Sequence, residues 1–224
     1  MAIFHKIVGK GSNRKALDVY ATPPEAIIGL LEKEVFEGNI LDPAVGEGNI
    51  LITLKWWFEK NKGYTPLCYG YDLREDDSIY GKKGVDFLSS DSKYPQIMNI
   101  IANPPFCVAT EFILKAKSLA THKVAILLKL DAMTGGDRYD RVWSDTAFPL
   151  KKVICFSKRL DFEKKGAPTM EHMWLIFDKS HRGEPTVTWF DNRVVDTEGI
   201  PLVERVIKNT EIPSDKEVDV PDGQ

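Results

Sequence analysis

Asn39-Ile40-Leu41-Asp42-Pro43-Ala44-Val45-Gly46-Glu47-Gly48-Asn49-Ile50 is the stretch that decides the fold. A short apolar run ends in an acid. A turn with two glycines follows, and then an apolar segment of helical period through Leu51, Leu54, Trp57 and Phe58. This pattern reads as strand, turn and helix start. The glycines let the backbone approach a ligand closely. The spacing is not Gly-x-Gly-x-x-Gly, and no Gly-Lys-Ser/Thr follows, so neither a dinucleotide fingerprint nor a P-loop is met.

The same alternation recurs downstream. Leu67-Cys68-Tyr69-Gly70-Tyr71-Asp72 reads as a strand ending in an acid, 30 residues after Asp42. A carboxylate at that place in a βαβ unit can accept hydrogen bonds from both hydroxyls of a ribose. Gly84-Val85-Asp86-Phe87-Leu88 reads as a short strand or turn. There Asp86 could accept from an adenine amino group while Phe87 packs on the ring. Residues 98–102 form an apolar strand, 111–120 a helix, and 123–130 a continuous apolar run suited to a central parallel strand. Residues 131–149 are a long loop or short helix, and 151–156 a strand. Residues 170–177 and 186–190 read as late strands forming one hairpin. Strands alternate with helices at first and cluster afterwards. The pattern predicts an α/β fold, a doubly wound, mostly parallel sheet with an antiparallel edge. Ahead of it, Thr22 suits a helix N-cap, Pro23 the first helical position and Glu25 the capping box.

The stretch with the most specific chemical use is Asn103-Pro104-Pro105-Phe106, at the end of the 98–102 strand. Two prolines fix φ and lack N–H groups, so the chain leaves the sheet stiffly. The Asn103 side-chain oxygen and the Pro104 carbonyl are both acceptors. Together they can hold a planar –NH2 by its two hydrogens, with Phe106 against the ring that carries it. A plain turn is the bland alternative. Ligands of open α/β sheets bind above the carboxyl ends of the strands, and all of these residues fall at such ends.

The 224 residues fit one domain with small appendages, and 43% hydrophobic content supports a real core. We expect an arm over 1–16, a catalytic domain over 17–195 and an acidic tail over 196–224 whose last ten residues are disordered. No apolar run spans a membrane, and the first residues carry no signal-peptide pattern. Cys68, Cys107 and Cys155 read as reduced core thiols, which fits a cytoplasmic location. No Cys/His spacing suggests a metal, and surface or packing roles are expected for His5, His122, His172 and His181. The net charge is −3 but uneven: residues 123–182 carry a balance of +4, residues 183–224 one of −6. A positive face with an acidic tail fits contact with phosphates on one side; ordinary solvated charge is the competing reading.

Taken in order, Tyr20-Ala21-Thr22-Pro23, Asp42-Pro43-Ala44-Val45-Gly46-Glu47-Gly48, Asp72, Asp86-Phe87 and Asn103-Pro104-Pro105-Phe106 resemble the adenine-N6 DNA methyltransferases. These are class I S-adenosylmethionine enzymes of Rossmann-like fold. The motif order is similar to the gamma arrangement, and the compact length resembles stand-alone enzymes encoded by phages. The resemblance covers residues 14–180 and implies a seven-stranded sheet. By it, Tyr20, Thr22 and Pro23 border the methionine end of the cofactor. Asp42, Ala44, Gly46 and Gly48 cradle its methionine and ribose, Asp72 binds the ribose hydroxyls, and Asp86 and Phe87 hold its adenine. Asn103 and Pro104 grip the target amine, Pro105 stiffens the corner, and Phe106 stacks on the base.

The implied reaction moves a methyl group from S-adenosylmethionine to adenine N6 in DNA, in a bacterial cell or phage-infected host. The target is buried in a duplex, so the base must be flipped or unpaired. Phe162 is the candidate for its second face, with a core aromatic as the equal alternative. Arg138, Arg141, Lys158 and Arg159 are candidate phosphate contacts, as are Lys164 and Lys165. RNA base amino-methyltransferases and the glutamine N5-methyltransferases of release factors use the same corner and remain alternatives. So does a binding module without catalysis. Cytosine C5 chemistry needs a Cys after a proline, and Cys107 follows Phe106.

Overall fold

A computed structural model describes residues 21–162, 166 and 168–201. Seven strands form one sheet: β1 (Ile40–Asp42), β2 (Cys68–Gly70), β3 (Ile97–Ala102), β4 (Ala120–Lys129), β5 (Leu150–Phe156), β6 (His172–Asp178) and β7 (Thr186–Phe190). Their order is β2-β1-β3-β4-β6-β5-β7. All neighbouring pairs are parallel except the two made by β6, which runs against both β4 and β5. Its place is third from the β7 rim.

Three long helices cover the sheet: α1 (Pro24–Lys33), α2 (Asn49–Lys62) and α3 (Ala109–Leu119). Side-chain alternation along β4 shows how the two faces divide. Ala125 and Leu127 join Ile27, Leu30, Leu51 and Leu54 under α1 and α2. Val124, Ile126 and Leu128 join Phe112, Ile113 and Ala116 under α3. The continuous apolar run expected of a central strand is therefore two alternating faces, both buried. Trp174 of β6 is fully buried and donates its indole N–H to the Ala26 carbonyl at 2.8 Å, fixing α1 on the sheet.

Three expectations need correction. The strands at 172–178 and 186–190 exist but form no hairpin, because β5 pairs with both and lies between them. The 84–88 segment, read as a short strand or turn, is a turn, tied by Val85 N–H to the Asp72 carbonyl. Pro23, not Thr22, is the N-cap of α1, with Pro24 in the first turn and no side-chain cap. A proline at N1 needs no donor there, which leaves the Thr22 hydroxyl free for other work. Of the three free cysteines, Cys68 and Cys155 are half-buried and Cys107 is exposed. Cys107 lies in a 3-10 turn at Phe106–Val108, whose apolar neighbours gave the misleading core pattern. Among the described residues no helix is long and apolar enough to cross a membrane.

Candidate active site

The carboxyl ends of β1, β2 and β3 open onto a cavity of about 280 Å³. Thr22, Asp42, Ala44, Gly46, Asp72, Asp86, Phe87, Asn103 and Pro105 all line it. Pro23, Gly48, Pro104 and Phe106 stand next to lining residues but outside the wall, and Tyr20 lies outside the described residues.

The floor is the glycine turn. Gly46 and Gly48 have φ of +54° and +88°, a region that favours glycine. A Cβ on Gly48 would stand 2.4 Å from Tyr80 Cγ, so this glycine is explained by packing. Asp42 is 1% exposed. Its Oδ1 accepts from Ala44 N–H at 3.1 Å, and among the described residues its buried Oδ2 has no donor. Burial pushes this carboxyl up to about 8, and the Asp72 charge adds to the rise. Asn49 opens α2 and donates to the Thr22 carbonyl at 3.3 Å; its own buried Oδ1 is also unpartnered. Two acceptors on one wall thus lack donors, the arrangement expected of a site for a ligand that brings its own.

Asp72 is different, because its oxygens are occupied. Oδ2 accepts from Gly46 N–H at 2.9 Å and Oδ1 from Arg74 N–H at 2.9 Å. The Arg74 guanidinium adds bonds to Oδ1 at 3.1 Å and Oδ2 at 3.2 Å. Arg74 lines the cavity and was not singled out from sequence. The available signal was a cation two residues beyond an acid. Asp86 Oδ1 accepts from Leu88 N–H at 2.9 Å, which shapes its turn. The Phe87 ring packs into the core, 4.5 Å from the Phe112 ring and 5.8 Å from Tyr94.

At the Asn103 corner, the amide nitrogen donates to Thr22 Oγ1 at 3.2 Å. That bond turns the carboxamide so that its oxygen faces away from Thr22, and among the described residues no donor engages it. Phe106 is half-buried just beyond. Lys129 Nζ lies 4.8 Å from its ring centroid, and the His172 ring 5.9 Å away at 40°. Phe162, which also packs against the core on the α1 and α2 side, meets His172 at 4.6 Å and 56°. The two aromatics named from sequence therefore converge on a third ring, which sequence reading left to the surface or the packing. Burial, helped by the Lys129 charge, pushes His172 down to about 4, so the ring is neutral at pH 7.

The candidate phosphate contacts are mostly engaged within the protein. Arg138 braces its loop through Thr110 Oγ1 and the Ala132 and Thr134 carbonyls. Arg141 pairs with Asp137 and Glu111, and Arg159 with Glu171 at 2.6 Å. Lys158 is exposed. Lys164 and Lys165 lie outside the described residues.

No protein-family model and no curated protein matches this sequence. Solved structures do match. A Listeria monocytogenes protein assigned to the class I S-adenosylmethionine-dependent methyltransferases aligns with TM-score 0.57 at 17% identity, over 76% of this chain and 65% of its own. The methyltransferase subunit of a Streptococcus thermophilus type I restriction-modification system aligns with TM-score 0.56 at 14% identity, over 77% and 47%. The EcoKI M protein, a type I restriction enzyme component, gives 0.54 at 14%, over 76% and 47%. The fold is that of the class I methyltransferases. The chain covers less than two thirds of the length of each of these neighbours.

Proposed function

We propose that this chain transfers a methyl group from S-adenosylmethionine to the exocyclic N6 of adenine in DNA. The observation that carries the reading is the Asn103 corner. A carboxamide oxygen without a protein donor stands on the wall of the same cavity as two donorless acceptors, Asp42 Oδ2 and Asn49 Oδ1.

The cavity residues fit the cofactor's donor set. Its ammonium and ribose hydroxyls offer N–H and O–H groups; Asn49 Oδ1 accepts directly, Asp42 accepts once it gives up the proton that burial holds on it, and Asp72 accepts by exchanging a bond to Arg74. When bound, it supplies an electrophilic methyl group on a sulfonium. The chain does the rest by position. Asn103 Oδ1 and the Pro104 carbonyl accept the two amino hydrogens, which favours a more tetrahedral nitrogen and stabilises the positive charge growing there. Such preorganised acceptors typically contribute a few kcal/mol, in addition to the gain from alignment. Thr22 holds the carboxamide in the orientation that frees its oxygen. Phe106 offers a face to the base. No covalent enzyme intermediate is needed.

Two of the structural neighbours belong to type I restriction-modification systems, which supports DNA as the substrate. The test is transfer of radiolabel from S-adenosylmethionine to DNA, RNA and protein in parallel. Label in DNA that digests to N6-methyladenine is the expected result. Label confined to RNA or protein would overturn it in favour of the corresponding alternative.

A further inference from the structure

We propose that His172 is a stand-in for the target base: in the free protein its imidazole fills the aromatic slot between Phe106 and Phe162, and an unstacked adenine displaces it. The inference rests on the reading of the Asn103 corner as an amine site.

The geometry is specific. A base sandwiched between two rings needs two contacts of van der Waals length, roughly 7 Å from face to face. Phe106 and His172 are 5.9 Å apart, and His172 and Phe162 4.6 Å, so neither gap admits a base while His172 stays. An imidazole is itself the five-membered half of a purine. It is flat, and here it is uncharged, and it touches both rings, tilted 40° to Phe106 and 56° to Phe162. The fit is imperfect. His172 Nδ1 is buried and meets no group in good hydrogen-bond geometry among the described residues, with only the Met170 backbone close to the ring. Leaving the slot returns that nitrogen to water, which offsets part of the displacement.

The backbone permits the exchange. His172 is the first residue of β6, and Lys129↔His172 is the last pair of the β4–β6 ladder. The side chain can therefore swing out at the rim without breaking an interior rung. The charged groups around it are Lys129 at the end of β4, Asp131 just beyond, and Glu171 of its own segment, which Arg159 holds. The two acids favour a protonated imidazole once it is outside.

The experiment uses the whole chain and a single-stranded oligodeoxyadenylate carrying one 2-aminopurine. In the free protein, the His172 ring should titrate near 4 by NMR. With the oligonucleotide saturating, it should move toward the ordinary value of 6.5. His172→Ala should bind the oligonucleotide about three- to tenfold more tightly, because the competing closed state is gone. Its KM should fall more than its kcat changes. His172→Phe, which keeps the slot filled with a ring that has nothing to gain from water, should bind more weakly. Opposite signs for the two variants distinguish displacement from a loss of folding, and a thermal melt of each checks the latter. A His172 titration unmoved by saturating oligonucleotide, or variants that bind as the parent does, would overturn the stand-in role and leave the methyltransferase reading intact. A parent protein that neither binds the oligonucleotide nor labels DNA would overturn both.

Discussion

The two rims of the sheet treat buried carboxylates in opposite ways. At the rim away from the cavity, Glu34 has a side chain only 3% exposed and is met by Lys123 at 2.7 Å, Lys151 at 2.8 Å and Lys152 at 2.8 Å. Lys151 also reaches Asp178 at 3.0 Å. Burial opposes ionisation of Glu34, yet the three lysines hold it down to about 2. At the cavity rim, Asp42 is equally buried, has no cation and is pushed up to about 8. One rim spends its charges on itself; the other pairs Asp72 with Arg74 but leaves oxygens of Asp42 and Asn49 without donors among the described residues. The closed rim holds the fold, and the open rim is kept for a ligand.

The largest expected effect breaks the open rim. Asn103→Ala should lower methyl transfer about 10²–10³-fold while calorimetry shows cofactor binding retained; lost cofactor affinity would contradict the assigned role. Next is the closed rim. Glu34→Gln leaves three ammonium groups around a neutral amide. It should cost about 2–3 kcal/mol in urea denaturation, discounted from a fully buried pair because the lysines are partly solvated. An unchanged midpoint would mean Asp178 alone can hold the lysines. Asp72→Ala should weaken S-adenosylhomocysteine about tenfold, roughly 1.4 kcal/mol. An unchanged dissociation constant would make the Asp72–Arg74 pair purely structural.

The smallest effect sharpens the contrast through pH. The folded Asp42 keeps a proton that the unfolded chain releases above about 3.8, so its contribution to stability falls as pH rises toward about 8. Glu34 has the reverse sign. Its contribution is present above 4.5 and is lost as pH falls toward about 2. Asp42→Asn should therefore stabilise the free protein by on the order of 1 kcal/mol at pH 8 and flatten the slope between pH 6.5 and 8. The same slope in both proteins would show that Asp42 holds no proton.

What was legible in the sequence was what is local. The 39–50 run specified β1, its glycine turn and α2, because period, acid and glycines all pointed one way. The alternation of elements specified a parallel sheet. Pairing across long separations was not legible. Two late strands beside each other in sequence suggested a hairpin, and only the sheet order shows β5 between them. For the same reason His172 was given only a surface or packing role. Nothing near it in sequence marks it, and its partners Phe106 and Lys129 are brought to it by tertiary contact. Arg74 was missed because its partner Asp72 had already been given another role. The register of α1 was shifted by one because either of two adjacent prolines could open the helix.

The reversed direction of β6 has one more consequence. The chain leaves β5 and enters β6 on the same side of the sheet as the Asn103 corner. The link between them can be lengthened without re-threading any strand, since both of its anchors are already fixed in neighbouring ladders. New sequence-reading parts grafted at that bend would arrive beside the Asn103 corner, so under the proposed function selectivity could be exchanged there without touching that corner.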